Sequence, residues 1–346
     1  MTHLQIERTR STFRAVSDVC LRAYRDTTDV TGIHAVFERG NEECGLERVV
    51  TEDDLQSWWD FSNVDRTNDI VVAETDDRVV GFGFVTTAVN AEGVRFYTND
   101  GDVLPAWRRQ GIGSMLLRWN ERRIAALAND QEVCPASFVE GYAYDTEYER
   151  EQVLWNAGYR AVRRMFTLRR SLTDIPSLPL PSGIEIRAVR PEHSMAILAA
   201  ANEAFRDHWQ AVDMTPQQFD MLLGLRDCDP ELWIVAWDGA EIAGMVHGRI
   251  DPLVNARFDR SRGRITNVCV RRPWRGRGLA RALMATSMET LRARGMSEVE
   301  LGVDAQSLTG ALRLYEGLGF RTAKYWTVFH KSLAAIRDER SNRMHG

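Results

Sequence analysis

Residues 267–284 read NVCVRRPWRGRGLARALM. Residues 265–270 are apolar and β-branched enough for a strand, and Gly276 and Gly278 punctuate its end. Leu279, Leu283, Met284, Met288 and Leu291 then recur at helical spacing. Strand, Gly-rich turn and helix in that order make an anion site. Backbone N–H groups converge at the helix N-terminus and the helix dipole favours negative charge there. Glycine lets a phosphate approach the backbone. The turn lacks both the Gly-Lys-Ser/Thr of an ATP-binding P-loop and the third glycine of a dinucleotide fingerprint.

The same event occurs upstream, where residues 102–119 read DVLPAWRRQGIGSMLLRW. Gly111 and Gly278 are 167 positions apart, as are Gly113 and Ala280. A second landmark follows each turn: LWNAGYR at 154–160 and LYEGLGFR at 314–321, with Gly158 and Gly319 offset by 161. Two landmarks in one order indicate a duplicated domain. Between the copies, residues 171–183 (SLTDIPSLPLPSG) hold three of the ten prolines, the composition of an extended linker. The expected organisation is an N-terminal domain over 1–170, a linker over 171–183, a C-terminal domain over 184–333 and a polar tail over 334–346.

In the second half the pattern predicts strands over 184–189, 232–237, 241–251, 265–270 and 299–303. Helices are expected over 191–207, 216–225 and 308–318, and Phe320 opens a last strand pair. In the first half helices are expected over 12–25, 52–60, 111–127 and 148–156. Strands are expected there over 70–74, 79–87, 94–104, 133–139 and 166–169. Strands and helices mixed in this order suggest an α/β sheet in each half.

Arg275-Gly276-Arg277-Gly278-Leu279-Ala280 matches (Q/R)-x-x-G-x-(G/A), the signature of the GNAT N-acetyltransferase superfamily. Arg108-Arg109-Gln110-Gly111-Ile112-Gly113 matches it as well. The chain resembles that superfamily over roughly 1–170 and 183–331, and its tandem form resembles the mycothiol-synthase-like branch. The resemblance implies an α+β mixed fold of two tandem domains, each a mixed, mostly antiparallel sheet flanked by helices. It implies acetyl-CoA as co-substrate, no metal, and its pyrophosphate on these turns. Val268, Cys269 and Val270, with Val103 in the first half, then offer backbone groups to the acyl arm, and Ser307 lies beside it. The implied reaction is direct attack of a primary amine on the thioester in a ternary complex, in the C-terminal domain.

On the same resemblance Tyr315 is the general acid that protonates the departing thiolate, although its apolar stripe also suits a core tyrosine. The Asn often found at the start of that motif is replaced by Ser307 or Leu308. In the first half Trp155 takes the tyrosine position and Glu151 that of Ala311. Indole cannot act as this acid, so the N-terminal half is expected to be non-catalytic. The amine must lose a proton, and the strand glutamate of some family members is Arg264 here and Tyr97 in the first half. The candidate bases are His247 and Glu203. Cys269 has no histidine placed by sequence to activate it, so a core role is expected in place of a covalent one.

Arg271, Arg272, Arg275, Arg277 and Arg281 crowd the second turn and suit phosphate. Glu203, Asp207, Asp213 and Asp220 suit a cationic acceptor, such as an aminoglycoside, a polyamine, an amino sugar or a cysteinyl conjugate. Two other readings stay open: a protein lysine or N-terminal acetyltransferase, and a non-enzymatic acyl-CoA-binding regulator. A tRNA-dependent aminoacyl transferase is disfavoured by the two intact turns.

The 346 residues are 44% hydrophobic and 27% charged, with a net charge of −5, which suits a globular protein with no nucleic-acid partner. Five cysteines without metal-ligand spacing read as free thiols. The polar N-terminus and the lack of a long apolar run point to a cytoplasmic chain with no membrane partner, a monomer or a homodimer.

Overall fold

The computed structural model describes residues 18–129, 134, 136–307 and 310–337. The first half runs β1 (Cys20–Ala23), α1 (Asp26–Glu43), α2 (Glu52–Phe61), α3 (Arg66–Asp69), β2 (Ile70–Thr75), β3 (Arg78–Val89), β4 (Arg95–Val103), α4 (Ile112–Asn129), β5 (Phe138–Tyr144), α5 (Tyr148–Asn156) and β6 (Arg160–Ser171). The second half runs β7 (Ile184–Arg187), α6 (Ser194–Phe205), α7 (Pro216–Leu223), β8 (Trp233–Asp238), β9 (Glu241–Arg249), α8 (Pro252–Arg257), β10 (Arg262–Val270), α9 (Leu279–Ala293), β11 (Glu298–Asp304), α10 (Ala311–Gly317) and β12 (Arg321–Ser332).

Local chemistry explains most boundaries. Thr51 and Asp54 close a capping box at the head of α2; Thr215 and Gln218 do so for α7, with Pro216 at its first position. Leu279, Leu283, Met284, Met288 and Leu291 all lie on the buried face of α9, as their spacing predicts. The helix expected over 12–25 is corrected. Residues 12–17 lie outside the described residues, Cys20–Ala23 is a strand, and the helix is Asp26–Glu43. The strand expected over 133–139 is Phe138–Tyr144, and Val133 lies outside the described residues.

The strands form one mixed sheet in the order β1-β2-β3-β4-β5-β12-β6-β11-β10-β9-β8-β7. Every pairing is antiparallel except β4–β5 and β10–β11. Helices flank it, as expected for two tandem domains. The expected closing strand pair is corrected: each half ends in one 12-residue strand, and the halves trade it. β12 pairs with β5, from Trp326 opposite Tyr144 to Ser332 opposite Phe138. β6 pairs with β11, from Ser171 opposite Glu298 to Met165 opposite Asp304. β6 and β12 also pair with each other, so the two sheets become one. Phe320 and Phe329 flank this seam, both fully buried.

In the second half a core lies on each sheet face. One holds α9, Tyr315 and Phe320; the other holds α6, Phe219, Met245 and Cys269. Among the described residues no helix is long and apolar enough to cross a membrane.

Glu47, in the first half, clasps the second. Its carboxylate receives Arg169 of β6, Arg260 at 3.1 Å, Arg262 of β10 at 3.0 Å and Lys324 of β12 at 3.5 Å. Desolvation alone would raise its pKa, but the hydrogen bonds from Arg169 and Arg262 outweigh it and hold it at about 2, against 4.5 ordinarily. A lowered carboxylate pKa contributes stability that is complete above the unfolded value and is lost as pH falls through the folded one. Stability is therefore expected to decline between pH 4.5 and 2, and Glu47→Gln to flatten that decline while lowering stability at pH 7. Urea melts of both proteins at a series of pH values check this. Parallel slopes below pH 4.5 would rule the clasp out.

Candidate active site

β10 and β11 are parallel neighbours only over Arg262–Ile265. β10 then shifts register at Thr266 and runs on to Val270 paired with β9 alone. The two strands therefore split towards their C-terminal ends, and backbone groups of Val268 and Val270 on the β11 side are not taken by that strand. β4 and β5 split in the same way after Phe96–Thr98.

The Gly-rich turn sits at the open end of the split. Gly276 and Gly278 have φ of 76° and 80°, and a side chain built on either meets nothing within 4 Å. The surface above the turn is thus free for a ligand. Gly278 caps α9 without a side-chain acceptor, so N–H groups of the first turn, with Leu279 and Ala280, are open to an anion. In the first half Arg109 replaces Gly276 and still adopts φ 62°, at a strain of about 1–2 kcal/mol. Gly111 has φ 86°, Ile112 is buried, Gly113 follows it in α4, and Gln110 bonds Ala106 O.

The first arginine of each signature points inward. Arg275 Nε donates to Val270 O at 2.8 Å, and Arg108 Nε donates to Val103 O at 3.0 Å, so each ties its turn to the end of its strand. Arg275 also pairs with Asp207 at 2.5 Å, Arg272 with Asp207 at 2.5 Å, and Arg271 with Glu203 at 2.8 Å. Arg277 and Arg281 have no carboxylate partner among the described residues. The same pairs involve two of the four acidic residues expected to suit a cationic acceptor. Glu203 and Asp207 are engaged with the turn, and Asp213 meets Arg206 at 3.4 Å.

Tyr315 lies on α10, buried and edge-on to Phe320 at 6.0 Å. Its hydroxyl makes no hydrogen bond among the described residues. Burial, then the Cys269 thiol, raises its pKa, so it is a protonated donor at neutral pH. Ser307, on the turn after β11, donates its backbone N–H to Asp304 O at 3.1 Å; Leu308 lies outside the described residues.

The first-half counterpart of Tyr315 is corrected by one residue. Tyr159 N–H bonds Leu154 O as Phe320 N–H bonds Tyr315 O, and Gly158 bonds Trp155 as Gly319 bonds Glu316. The constant offset of 161 makes buried Leu154 the counterpart of Tyr315. Half-exposed Trp155 matches Glu316, and Arg150, not Glu151, matches Ala311. The capping glycine was the signal that fixes this register. Arg150 is tied to Asp100 and to Glu147 at 3.5 Å, and Tyr142 donates to Asp100 at 2.5 Å. A cavity of about 650 Å³ opens beside these groups, along Asp102, Arg108, Arg109 and Gly111. Asp100 and Asp102 stand where the second half has Asn267 and Cys269. Burial raises the pKa of Asp102.

Neither base expected from sequence has a base's surroundings. His247 is sealed in the core, stacked on Trp233 at 3.8 Å, with Nε2 unpartnered. Burial, then Arg249, lowers its pKa to about 3, so it cannot hold a proton at neutral pH. Glu203 is taken up by Arg271. Burial pushes the Cys269 thiol up to about 12, so it is no nucleophile. His208, which the sequence reading passed over, stands partly exposed on the turn after α6, with one face of its ring packed on Phe205 at 4.6 Å.

A split parallel strand pair, a Gly-rich turn heading a helix and a buried tyrosine on α10 come together in the second half. Residues 195–320 match the Acetyltransferase (GNAT) family and residues 66–150 the Acetyltransferase (GNAT) domain, together more than half of the chain. A mycothiol acetyltransferase of Salinispora tropica is 34% identical over 234 residues, 63% of this chain and 67% of that protein. One from Catenulispora acidiphila is 29% identical over 244 residues, 70% of this chain and 74% of that protein. The crystal structure of a GCN5-related N-acetyltransferase from Sphaerobacter thermophilus superposes with a TM-score of 0.68 at 26% identity, over 92% of this chain and 97% of that one. A tandem GNAT protein from the clavulanic acid biosynthesis pathway shares the fold, with a TM-score of 0.64 at 16% identity over 91% and 98% of the two chains. The chain belongs to the GNAT acetyltransferase family. It is a tandem N-acetyltransferase that resembles the mycothiol acetyltransferases.

Proposed function

We propose that the C-terminal half transfers acetyl from acetyl-CoA to the amine of a small molecule, and that the N-terminal half is non-catalytic. One observation carries this reading: at equivalent places, one half holds a buried tyrosine whose hydroxyl has no hydrogen-bond partner among the described residues, and the other holds a leucine beside an arginine–aspartate pair. The relatives named mycothiol acetyltransferases support a small-molecule amine, a cysteinyl conjugate among them.

The residues fit the donor. Open N–H groups at the head of α9, with Arg277 and Arg281, hold the pyrophosphate. The donor supplies an acetyl group activated as a thioester. Backbone N–H groups of the split strand, over 268–270, are placed to stabilise negative charge on the acetyl oxygen. Tyr315 donates to the sulfur as the C–S bond breaks. Even an ordinary phenol near 10 is a weaker acid than a thiol near 8.5, and burial weakens Tyr315 further, so full transfer is uphill by at least roughly 2 kcal/mol and must accompany bond breaking.

Gly278→Glu is expected to place a carboxylate where the pyrophosphate binds and to weaken acetyl-CoA at least about tenfold through like-charge repulsion. Gly111→Glu should leave turnover unchanged. CoA-thiol release with aminoglycosides, amino sugars, polyamines, cysteinyl conjugates and peptides tests the whole reading. Turnover on peptides alone would replace the small-molecule acceptor with a protein. Turnover lost in Gly111→Glu and kept in Gly278→Glu would move the site to the other half.

A further inference from the structure

We propose that His208 is the general base of this transfer, a reading that rests on the acetyltransferase site proposed above. His208 stands on the tight turn after α6, where its N–H bonds Phe205 O at 2.8 Å and its carbonyl accepts Ala211 N–H at 3.2 Å. Three anchors hold that turn. Asp207 takes Arg272 and Arg275 from the phosphate turn that follows β10. Trp209 lies under the Arg163 guanidinium at 4.8 Å, and Arg163 bonds Asp304 at 3.1 Å and Gln306 at 2.9 Å where β11 ends. Trp209 also stacks on His330 of β12 at 5.6 Å, and Gln210 meets the His330 Nε2 at 3.1 Å. One anchor is the phosphate turn beyond β10 and another is Arg163 of β6, itself bonded to the end of β11, so the turn lies between the two ends of the split, with the His208 ring packed on Phe205 at 4.6 Å.

The two sheet faces divide the labour. The phosphate turn leads into α9, and α9 and Tyr315 share the core on one face; α6 packs on the other. An amine adds to the acetyl carbon over a face of the planar thioester; with the donor's turn and Tyr315 on the α9 side, the acceptor enters from the α6 side, where the turn that carries His208 lies. The charged groups around the ring are Asp304, Arg275 and Asp207. Desolvation by the surrounding protein, with Arg275 behind it, outweighs the two carboxylates and lowers the imidazole pKa, so the ring is neutral and can accept a proton at pH 7. The other rings nearby are engaged: His330 is held between Phe138, at 3.9 Å, and Trp209, with its Nε2 facing Glu140 and Gln210.

As the N–C bond forms, His208 takes the N–H proton from the amine and passes it to solvent. The electron pair of the breaking C–S bond goes to sulfur with the Tyr315 proton, which Tyr315 recovers from solvent. The amine must enter neutral, having already lost its ammonium proton to solvent. At neutral pH an α-amino group near 7.8 meets that condition about 400-fold more readily than a lysine-type amine near 10.4. An acceptor with an α-amino group is therefore favoured over a polyamine.

The test uses the full chain with acetyl-CoA and two amines, S-methylcysteinamide and spermidine, between pH 5.5 and 9. Wild type is expected to favour S-methylcysteinamide by at least about 10²-fold in kcat/KM. His208→Gln is expected to lower kcat about 10²-fold, remove the acidic limb of the kcat profile and leave acetyl-CoA binding within about threefold. Added imidazole should restore turnover to His208→Ala, which a structural role would not allow. If both variants keep kcat within threefold and the same limb, the base is elsewhere and the acetyltransferase reading stands. If wild type binds acetyl-CoA but releases CoA with neither amine, the small-amine reading falls and the base with it.

Discussion

Tyr315→Phe is expected to lower kcat about 10²-fold, the lower end of what a positioned proton donor contributes, with KM for acetyl-CoA unchanged. Phenylalanine keeps the ring packed against Phe320 and in the same core as Leu279 and Leu283, so only the hydroxyl is removed. That hydroxyl makes no hydrogen bond among the described residues, so stability should change by less than about 1 kcal/mol. A loss of kcat without a loss of fold isolates chemistry from structure, and steady-state kinetics beside a thermal melt read both. The effect is kept near 10² because a phenol cannot fully protonate a thiolate by itself; its contribution is confined to the moment of bond breaking. Leu154→Phe, the matching change in the other half, should not alter kcat. A decrease below threefold in Tyr315→Phe would mean that the thiolate leaves unassisted.

Residues 184–346 expressed alone are expected to give no acetyl-CoA-binding protein, although they contain the phosphate turn, α9, α10 and Tyr315. Without β6, β11 has an unpaired edge beside the active split, and β12 has lost both of its partners. An exposed apolar strand edge favours aggregation over folding. Phe329, fully buried in the first half's core, would face solvent, a change worth about 1.5–3 kcal/mol. Co-expression with residues 1–183 should restore a bound pair of fragments and acetyl-CoA binding, measured by calorimetry. Full turnover by residues 184–346 alone would show that the exchanged strands are dispensable.

The turns, the duplication and the face of α9 could be read from the sequence because each rests on local chemistry: glycine conformation, a fixed offset and helical spacing. The strand exchange could not. β6 and β12 carry the same pattern whether each pairs within its own half or with the other, and only the long-range register, Met165 opposite Asp304 and Tyr144 opposite Trp326, distinguishes the two. The assignment of Trp155 to the tyrosine position failed for a related reason. Aromatic identity was matched where helix termination sets the register, and counting back from Gly158 and Gly319 places Leu154 there. His247 suggested a base because composition does not report burial. His208 went unnoticed because its importance comes from anchors in three other elements, on Arg275, Asp304 and His330.

The joined sheet also bears on why both copies remain in the chain. A duplicated domain that kept its own last strand could be lost or worn away without harm to its twin. Here each copy supplies a strand to the other's sheet, so the N-terminal half is held to its architecture by the needs of its twin. Its cleft is exempt from that constraint. Arg150, Asp100 and Leu154 occupy the part of the molecule where drift carries no penalty for the partner, and a copy with intact strands and an altered cleft is what such one-sided freedom leaves behind.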